Sequence, residues 1–263
     1  MKCPVCDSSY FEKLTNISTG ELYFCKKCKS NFLVANIDSS FYKKNYFDET
    51  YEAAYGKSYL EDEKNIRNYS KRRLNIIKKL CKKESLALLD IGSALGFFCD
   101  EANKMGFVAK GLEISDYAID YSRKNFNLEC YKDLNDIREK FDVITLWFTL
   151  EHIENPAYFL SRISLLLNEG GILALSLPNG YGGFFRFNKK LYFQKRPVEH
   201  IFEPSLTGMK TLLEKNNFKI KKIEIFGLHP DRFGVVDISF TRNLQKFLKL
   251  GDTFEIYAKK EEV

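Results

Sequence analysis

Residues 88–98 read "LLDIGSALGFF", and this stretch decides how the rest of the chain is read. An apolar run ends in an acid and opens at once into a turn of small residues, as a strand does when it feeds a helix through a ligand-binding loop. A dinucleotide fingerprint needs glycine at the first, third and sixth positions, so that the backbone can approach a pyrophosphate at a helix N-terminus. Counted from Gly92, those positions hold Gly92, Ala94 and Phe97, and the bulky Phe97 fails the last requirement. The spacing that does fit is Gly92, Ala94 and Gly96, with Asp90 at the strand end.

That arrangement suits a ligand bearing an ammonium close to a carboxylate, with Asp90 serving the amine and the loop amides taking the acid. The methionine half of S-adenosylmethionine is such a ligand. Ala94 adds only one methyl group to the turn and leaves close backbone approach open. The next apolar run ends "GLEIS", which puts Glu113 at a strand tip, where an acid can accept both ribose hydroxyls. A glycine turn or a strand-end acid also occurs in α/β proteins that bind no cofactor. In register with the strand pattern, the two together favour an adenosine-containing ligand.

Working outward, apolar strands "LALLDI", "FVAKGLEI", "LECY", "FDVITLW" and "GILALSL" alternate with helical stretches "FFCDEANKM", "SDYAIDYSRKN" and "PAYFLSRISLLLN". Strand and helix in turn, with short connections, predict a parallel sheet covered on both faces. Upstream, Ile66, Tyr69, Leu74, Ile77, Leu80 and Cys81 recur at helical spacing, an amphipathic helix with a basic outer face. Residues 180–204 break the rhythm and read as an irregular cover segment. A helix "SLTGMKTLLEKNN", a strand "KIKKIEIFG", a helical stretch "NLQKFLKL" and a last strand "TFEIYAKK" follow. The expected organisation is a small cysteine-bearing module over residues 1–37 with room for two short hairpins, a helical linker and cofactor-lid segment over 38–85, and the α/β domain over 86–263.

Cys3, Cys6, Cys25 and Cys28 form C-x2-C-x18-C-x2-C. Four thiolates on two tight knuckles can close a tetrahedral zinc site with no open position, so the expected metal is structural zinc in a zinc ribbon. An iron centre with the same ligands is the alternative that spacing leaves open. Metal would supply folding energy that so short a segment lacks. Cys81, Cys99 and Cys130 fall in apolar patterns and read as buried thiols.

The chain has 263 residues, 44% of them hydrophobic, which is enough for one well-buried domain with a small appendage and excludes a disordered class. No long apolar run and no signal-peptide core occur, so a soluble, cytoplasmic protein without membrane insertion is expected. A net charge of +6 leans mildly toward phosphorylated or nucleic-acid partners and equally describes a lysine-rich solvated surface.

Taken together, "LLDIGSALGFF", "GLEIS", "FDVITLWFTLEHIENP", "LLNEGGILALSLPN" and "PVEHIFEPSLTGMKTLLEKNNF" resemble the class I S-adenosylmethionine-dependent methyltransferases, in the branch with "EH" after the fourth strand of the domain. The resemblance covers about residues 45–260. It implies an α/β, Rossmann-like seven-stranded sheet with helices on both faces and the last strand antiparallel. Carried over by position, Asp90, Gly92 and Gly96 would line the methionine half, Glu113 with Ile114 the ribose side, Asp133 or Leu134 the adenine, and Trp147 a further cofactor contact. The departure from the family pattern is Ala94 in place of glycine.

Methyl transfer from a sulfonium asks the protein to place a nucleophile against the methyl carbon and, for a hydroxyl, to remove its proton. Three histidines exist, His152, His200 and His229. His152, just beyond the fourth strand, and His200, in the cover segment, are the candidate catalytic bases, with a pKa near neutral as the requirement. The plainer readings are a helix-capping or packed His152 and an ordinary loop His200; His229 reads as a turn residue. Arg186, Lys189, Lys190, Lys195 and Arg196 among Phe184, Phe185, Phe187, Tyr192 and Phe193 suit a sugar or nucleotide, or equally a solvated basic loop with its rings tucked inward. The expected acceptor is a small molecule or a glycan hydroxyl. An RNA methyltransferase is the second reading, weakened by the lack of an Asn-Pro-Pro-aromatic motif after "LWFTLEHI", and a non-catalytic binding protein on the same fold is the third.

Overall fold

The computed structural model describes residues 1–35, 51, 56–81, 83, 85–227 and 250–261. Two sheets organise them. The N-terminal one is an antiparallel meander of β1 (Phe11–Ile17), β2 (Gly20–Cys25) and β3 (Asn31–Ala35), so the two expected hairpins share their middle strand. The second begins after helix α1 (Glu63–Leu80) and follows the predicted alternation: β4 (Leu86–Ile91), α2 (Phe97–Lys104), β5 (Phe107–Leu112), α3 (Asp116–Phe126), β6 (Cys130–Tyr131), β7 (Phe141–Trp147), α4 (Pro156–Leu166) and β8 (Leu167–Pro178). Then come the short helices α5 (Gly183–Phe187) and α6 (Lys189–Lys195), β9 (Phe202–Glu203), α7 (Leu206–Lys215), β10 (Phe218–Phe226) and β11 (Thr253–Lys260).

The second sheet has seven strands in the order β10-β11-β8-β7-β4-β5-β6. Its neighbours from β8 to β6 run parallel, and β11 runs antiparallel to both β8 and β10, so the expected reversal of the last strand is present. Side chains alternate across each strand and split the core into two layers. Leu89, Ile144, Leu173 and Ile256 face one cluster with Leu160 and Ile163 of α4 and Leu212 of α7. Their chain neighbours Leu88, Val143, Ile172 and Tyr257 face the other, with Leu74 and Ile77 of α1 and Phe98 and Ala102 of α2. Near-continuous apolar strands are what a sheet buried on both faces requires. Local sequence fixes where the helices start: Ser115, Asn155 and Ser205 each accept a hydrogen bond from a backbone N–H of the first turn, and Pro156 opens α4.

Five expectations change. The run "LECY" yields only the two-residue β6. Residues 180–204, expected to be irregular, contain α5, α6 and β9. β9 pairs antiparallel with β3 and so joins the N-terminal sheet as its fourth strand. Phe184, Phe185 and Tyr192 pack with Phe24 of β2 and are buried, so these rings tie α5 and α6 to the N-terminal sheet and do not offer a stacking surface to an acceptor. The cationic face of α1 is not simply an outer face: Arg72 and Arg73 pair with buried Glu255 of β11, and Arg67 pairs with Asp100 of α2. Of the three remaining thiols, Cys99 is buried, whereas Cys81 and Cys130 are half-buried.

The four-cysteine module is not a separate body. Cys3, Val5, Cys6, Cys25, Cys28 and Phe32 belong to the same apolar cluster as Phe202, Leu206, Met209 and the sheet core. Ser205, the cap of α7, donates its hydroxyl to the Cys28 carbonyl, and the Ser205 amide donates to Ser30 Oγ at 3.0 Å. Gly208 sits where an added Cβ would lie 2.4 Å from Ser30 Oγ, so glycine is required for this close docking. Most of the expected lid segment 38–85 before α1, the stretch 243–249 and His229 lie outside the described residues.

Candidate active site

β4 continues to β5 on one side and pairs with β7 on the other, so the carboxyl ends of β4 and β7 flank a switch point of the sheet, where open α/β sheets bind ligands. The predicted cofactor residues gather along this edge, Asp90 on β4, Glu113 after β5, Asp133 after β6 and Trp147 on β7, across four adjacent strands. Gly92 (φ +75°), Ala94 (φ +49°) and Gly96 (φ +86°) all take left-handed backbone, which turns the chain from β4 into α2. A Cβ on Gly92 would lie 2.5 Å from Thr149 Oγ1, and one on Gly96 would lie 2.8 Å from Ser122 Cβ. Both glycines are therefore needed for conformation and for space. Ala94 is a strained substitute, a finding that goes against its reading as a one-methyl change of little consequence.

Asp90 lies beneath the loop and is buried; the Thr145 hydroxyl donates to it at 2.5 Å. Burial pushes its carboxyl up to about 8 against the pull of Thr145 and the Arg73 guanidinium, so it is poised to ionise when a cation arrives. Glu113 is buried too, and its two oxygens accept from the amides of Ala94 (2.9 Å), Ile114 (2.8 Å) and Ser115 (2.9 Å). It braces the glycine turn from the neighbouring strand, a role the sequence reading missed. Burial raises its pKa while these three N–H groups oppose the rise. Ile114 is 57% exposed beside it. Asp133 accepts the Asn135 amide at 2.7 Å and starts a short turn through Leu134.

Trp147 lies under the Arg73 guanidinium, 4.1 Å from ring centroid to carbon, with Phe98 behind it at 5.4 Å. Its Nε1 and the Ser93 hydroxyl are buried with no hydrogen-bond partner among the described residues. Buried donors left open beside a glycine turn and two strand-end acids fit a polar ligand such as S-adenosylmethionine. Arg73, Thr145 and Thr149 belong to this site, and no local motif in the sequence marks them.

The acceptor-side candidates also converge. His152 ends a short turn (Leu150–His152) after β7, and its ring meets that of His200 edge to face at 5.0 Å. His152 Nδ1 lies 3.3 Å from the Glu199 carbonyl, and His200 Nδ1 lies 2.7 Å from Glu203 Oε1. Burial, then the neighbouring His200, depresses His152 to about 3, which corrects the expectation of a near-neutral imidazole at this position. Glu203 is buried against Arg196 (3.4 Å) and accepts the Tyr192 hydroxyl. Burial alone would raise its carboxyl, but Arg196 and His200 hold it at about 2. Glu151 is fully buried, and both its oxygens lack a hydrogen-bond partner among the described residues. Burial pushes it well above the carboxylate range. Arg196, expected to face solvent or a phosphate, is thus committed inside.

At the N-terminal module the thiols of Cys3 and Cys28 lie 3.6 Å apart, as do those of Cys6 and Cys25, and all four sulfurs lie within 4.8 Å of one another. A zinc–sulfur tetrahedron with bonds of about 2.3 Å has edges of about 3.8 Å, so the four side chains already hold a ligand geometry. The separations exclude disulfides, which need about 2.0 Å.

Residues 61–223 match the family model described as "Methyltransferase domain". A ubiquinone biosynthesis O-methyltransferase of Nitrobacter winogradskyi is 30% identical over 103 residues, covering 36% of this chain and 39% of that protein. One of Coxiella burnetii is 27% identical over 116 residues, covering 41% and 50%. The chain thus spans half or less of the length of these curated relatives. Among solved structures, an S-adenosylmethionine-dependent methyltransferase of Archaeoglobus fulgidus superposes with a TM-score of 0.62 at 18% identity, covering 82% of this chain and all of that one. A magnesium protoporphyrin IX methyltransferase of Synechocystis, solved with bound S-adenosylhomocysteine, gives 0.58 at 14% identity, with 82% and 97% covered. With the family model matched over more than half its length, and with the strand order and glycine turn described above, the chain belongs to the methyltransferase domain family.

Proposed function

We propose that this protein transfers the methyl group of S-adenosylmethionine to a hydroxyl of a small molecule, with a sugar or glycan as the acceptor class first expected. The observation that carries the reading is one sheet edge on which Asp90, the left-handed Gly92-Ala94-Gly96 turn, Glu113 and Trp147 adjoin the His152–His200 pair. The O-methyltransferase names of the curated relatives support the hydroxyl as the atom methylated.

When bound, the cofactor supplies an electrophilic methyl on a sulfonium. The chain's part is placement. Asp90 meets the ammonium of the methionine half, which draws its buried carboxyl into the ionised form. The turn amides face the carboxylate, and Glu113 orients the ribose while holding Ala94 in place. Asp133 or Leu134 would border the adenine. The acceptor hydroxyl gives up its proton to His200, whose ring Glu203 fixes. We further propose that Cys3, Cys6, Cys25 and Cys28 hold structural zinc, with all four positions filled by thiolate and none left for chemistry.

A labelled-methyl transfer screen against phenols, sugars, nucleotide sugars and RNA tests the reading. Label in a hydroxyl-bearing small molecule supports it. Label only in RNA, or none in any acceptor, overturns it.

A further inference from the structure

The N-terminal module clamps the segment that carries His200 on both sides. Before it, Thr19 of the β1–β2 turn donates its hydroxyl to the Val198 carbonyl at 3.0 Å. After it, the Leu33 amide donates to the Ile201 carbonyl at 2.7 Å, and Asn31 stands opposite Glu203 in the β3–β9 pair. Asn31 is buried, and its side-chain NH2 reaches out of the module, to the Gly180 carbonyl at 2.7 Å and the Tyr192 hydroxyl oxygen at 2.9 Å. A carbonyl can only accept, so Gly180 fixes which way the amide points. Tyr192 receives one of these N–H groups and spends its single O–H on Glu203 Oε2. Glu203 stays ionised although buried, because Arg196 and His200 hold it at about 2, and its other oxygen accepts His200 Nδ1–H at 2.7 Å. Donor and acceptor thus alternate from Asn31 to the imidazole in one direction only, and the neutral ring keeps its lone pair on Nε2. The arrangement has a cost: Asn31 Oδ1 is buried with no hydrogen-bond partner among the described residues, where an apolar side chain of similar size would pack without penalty.

We propose that Asn31 is a positioning residue for methyl transfer, through which the four-cysteine module sets the tautomer and direction of His200 by way of Tyr192 and Glu203. The inference rests on the reading of His200 as the group that takes the acceptor's proton. The step it serves is that proton's loss. The acceptor O–H bond breaks and the proton goes to His200 Nε2, while the oxygen's electron pair bonds the methyl carbon and the carbon–sulfur pair stays on sulfur. The module is then a working part of the acceptor side, three hydrogen bonds from its base. The cofactor side, built on the tips of β4, β5 and β7, does not depend on this chain of bonds.

The test is nitrogen-15 NMR of the full chain labelled at histidine, at about pH 9, where an ordinary imidazole is neutral. Three histidines give three ring systems, and that of His200 is the one lost in His200→Ala. Wild type should show a single His200 tautomer with the proton on Nδ1. Asn31→Leu keeps the size of the side chain and removes its hydrogen bonds; it should shift the two ring nitrogens toward one another, as an averaged mixture of tautomers does. Leu33→Ala trims a buried side chain of the same strand outside the chain of bonds and should leave the ring nitrogens where they are. Circular dichroism shows which variants fold, and Tyr192→Phe is read in place of Asn31→Leu if the latter does not. A wild-type proton on Nε2, unmoved ring nitrogens in the folded variant, or an equal shift in Leu33→Ala overturns the proposal. On the acceptor that the labelled-methyl screen identifies, Asn31→Leu should lower kcat about 10- to 100-fold with KM unchanged, and an unchanged kcat also overturns it. Calorimetry with S-adenosylmethionine on the same samples reports on the methyltransferase reading separately.

Discussion

Replacing Asp90 by Asn should make the protein without cofactor more stable, and increasingly so as the pH rises. In the folded chain burial raises the Asp90 carboxyl from 3.8 to about 8. A carboxyl raised on folding costs nothing below its unfolded pKa; above it the unfolded chain ionises while the buried group stays protonated, so the fold loses stability as the pH climbs toward the folded value. With about 1.4 kcal/mol per pH unit across that window, the cost grows by roughly 3–4 kcal/mol between pH 5 and pH 8. Asn has the same shape, keeps an oxygen for the Thr145 hydroxyl and does not titrate. Urea unfolding of wild type and Asp90→Asn at pH 5, 6, 7 and 8 isolates the effect, because other titrating groups cancel in the difference. The stability gap should widen steadily in favour of Asn, and S-adenosylmethionine should bind the variant more weakly. A gap that stays constant across those four pH values would refute the buried, protonated Asp90.

Other perturbations follow from the same contacts. Ala94→Gly relieves left-handed strain and should stabilise the chain by about 0.5–1 kcal/mol in thermal or urea melts. Gly92→Ala must displace Thr149 and should destabilise by about 1–3 kcal/mol while weakening cofactor binding. Cys25→Ser, or a chelator that strips the proposed zinc, opens the shared apolar cluster and should cost about 3 kcal/mol or more, a fall of roughly 6–12 °C in Tm. The melt should remain a single transition, because the module and the sheet share one core. His200→Ala should slow methyl transfer about 10²- to 10⁴-fold with S-adenosylmethionine affinity unchanged, measured by single-turnover transfer and calorimetry.

Much of this architecture is legible because its cause is local. Alternating apolar runs gave the strands, and the pairs Leu88/Leu89 and Val143/Ile144 divide between the two faces as period-two side chains must. The Gly92-Ala94-Gly96 turn is legible because left-handed backbone demands small residues. What stayed hidden depends on contacts between distant segments. Nothing near residues 202–203 announces that β9 pairs with β3, since two residues of strand leave no periodic signal. Arg72 and Arg73 look like solvated charge until β11 brings Glu255 beneath them. The rings of Phe184, Phe185 and Tyr192 suited a ligand in sequence and found Phe24 in space. His152 carried a plain capping or packing reading, and His200 that of an ordinary loop residue. Their meeting over Glu151 is a property of the fold, as is the low pKa that burial imposes on His152.

The most direct test of the account is titration of the full chain with S-adenosylmethionine by calorimetry, for wild type and for Glu113→Ala. Glu113 ties the glycine turn to β5 and stands where the ribose would lie. One cofactor per wild-type chain, with at least about a tenfold loss of affinity in a folded Glu113→Ala variant, is the predicted result. Absence of binding to wild type, or equal affinity in both proteins, would contradict the assignment of this sheet edge as the cofactor site.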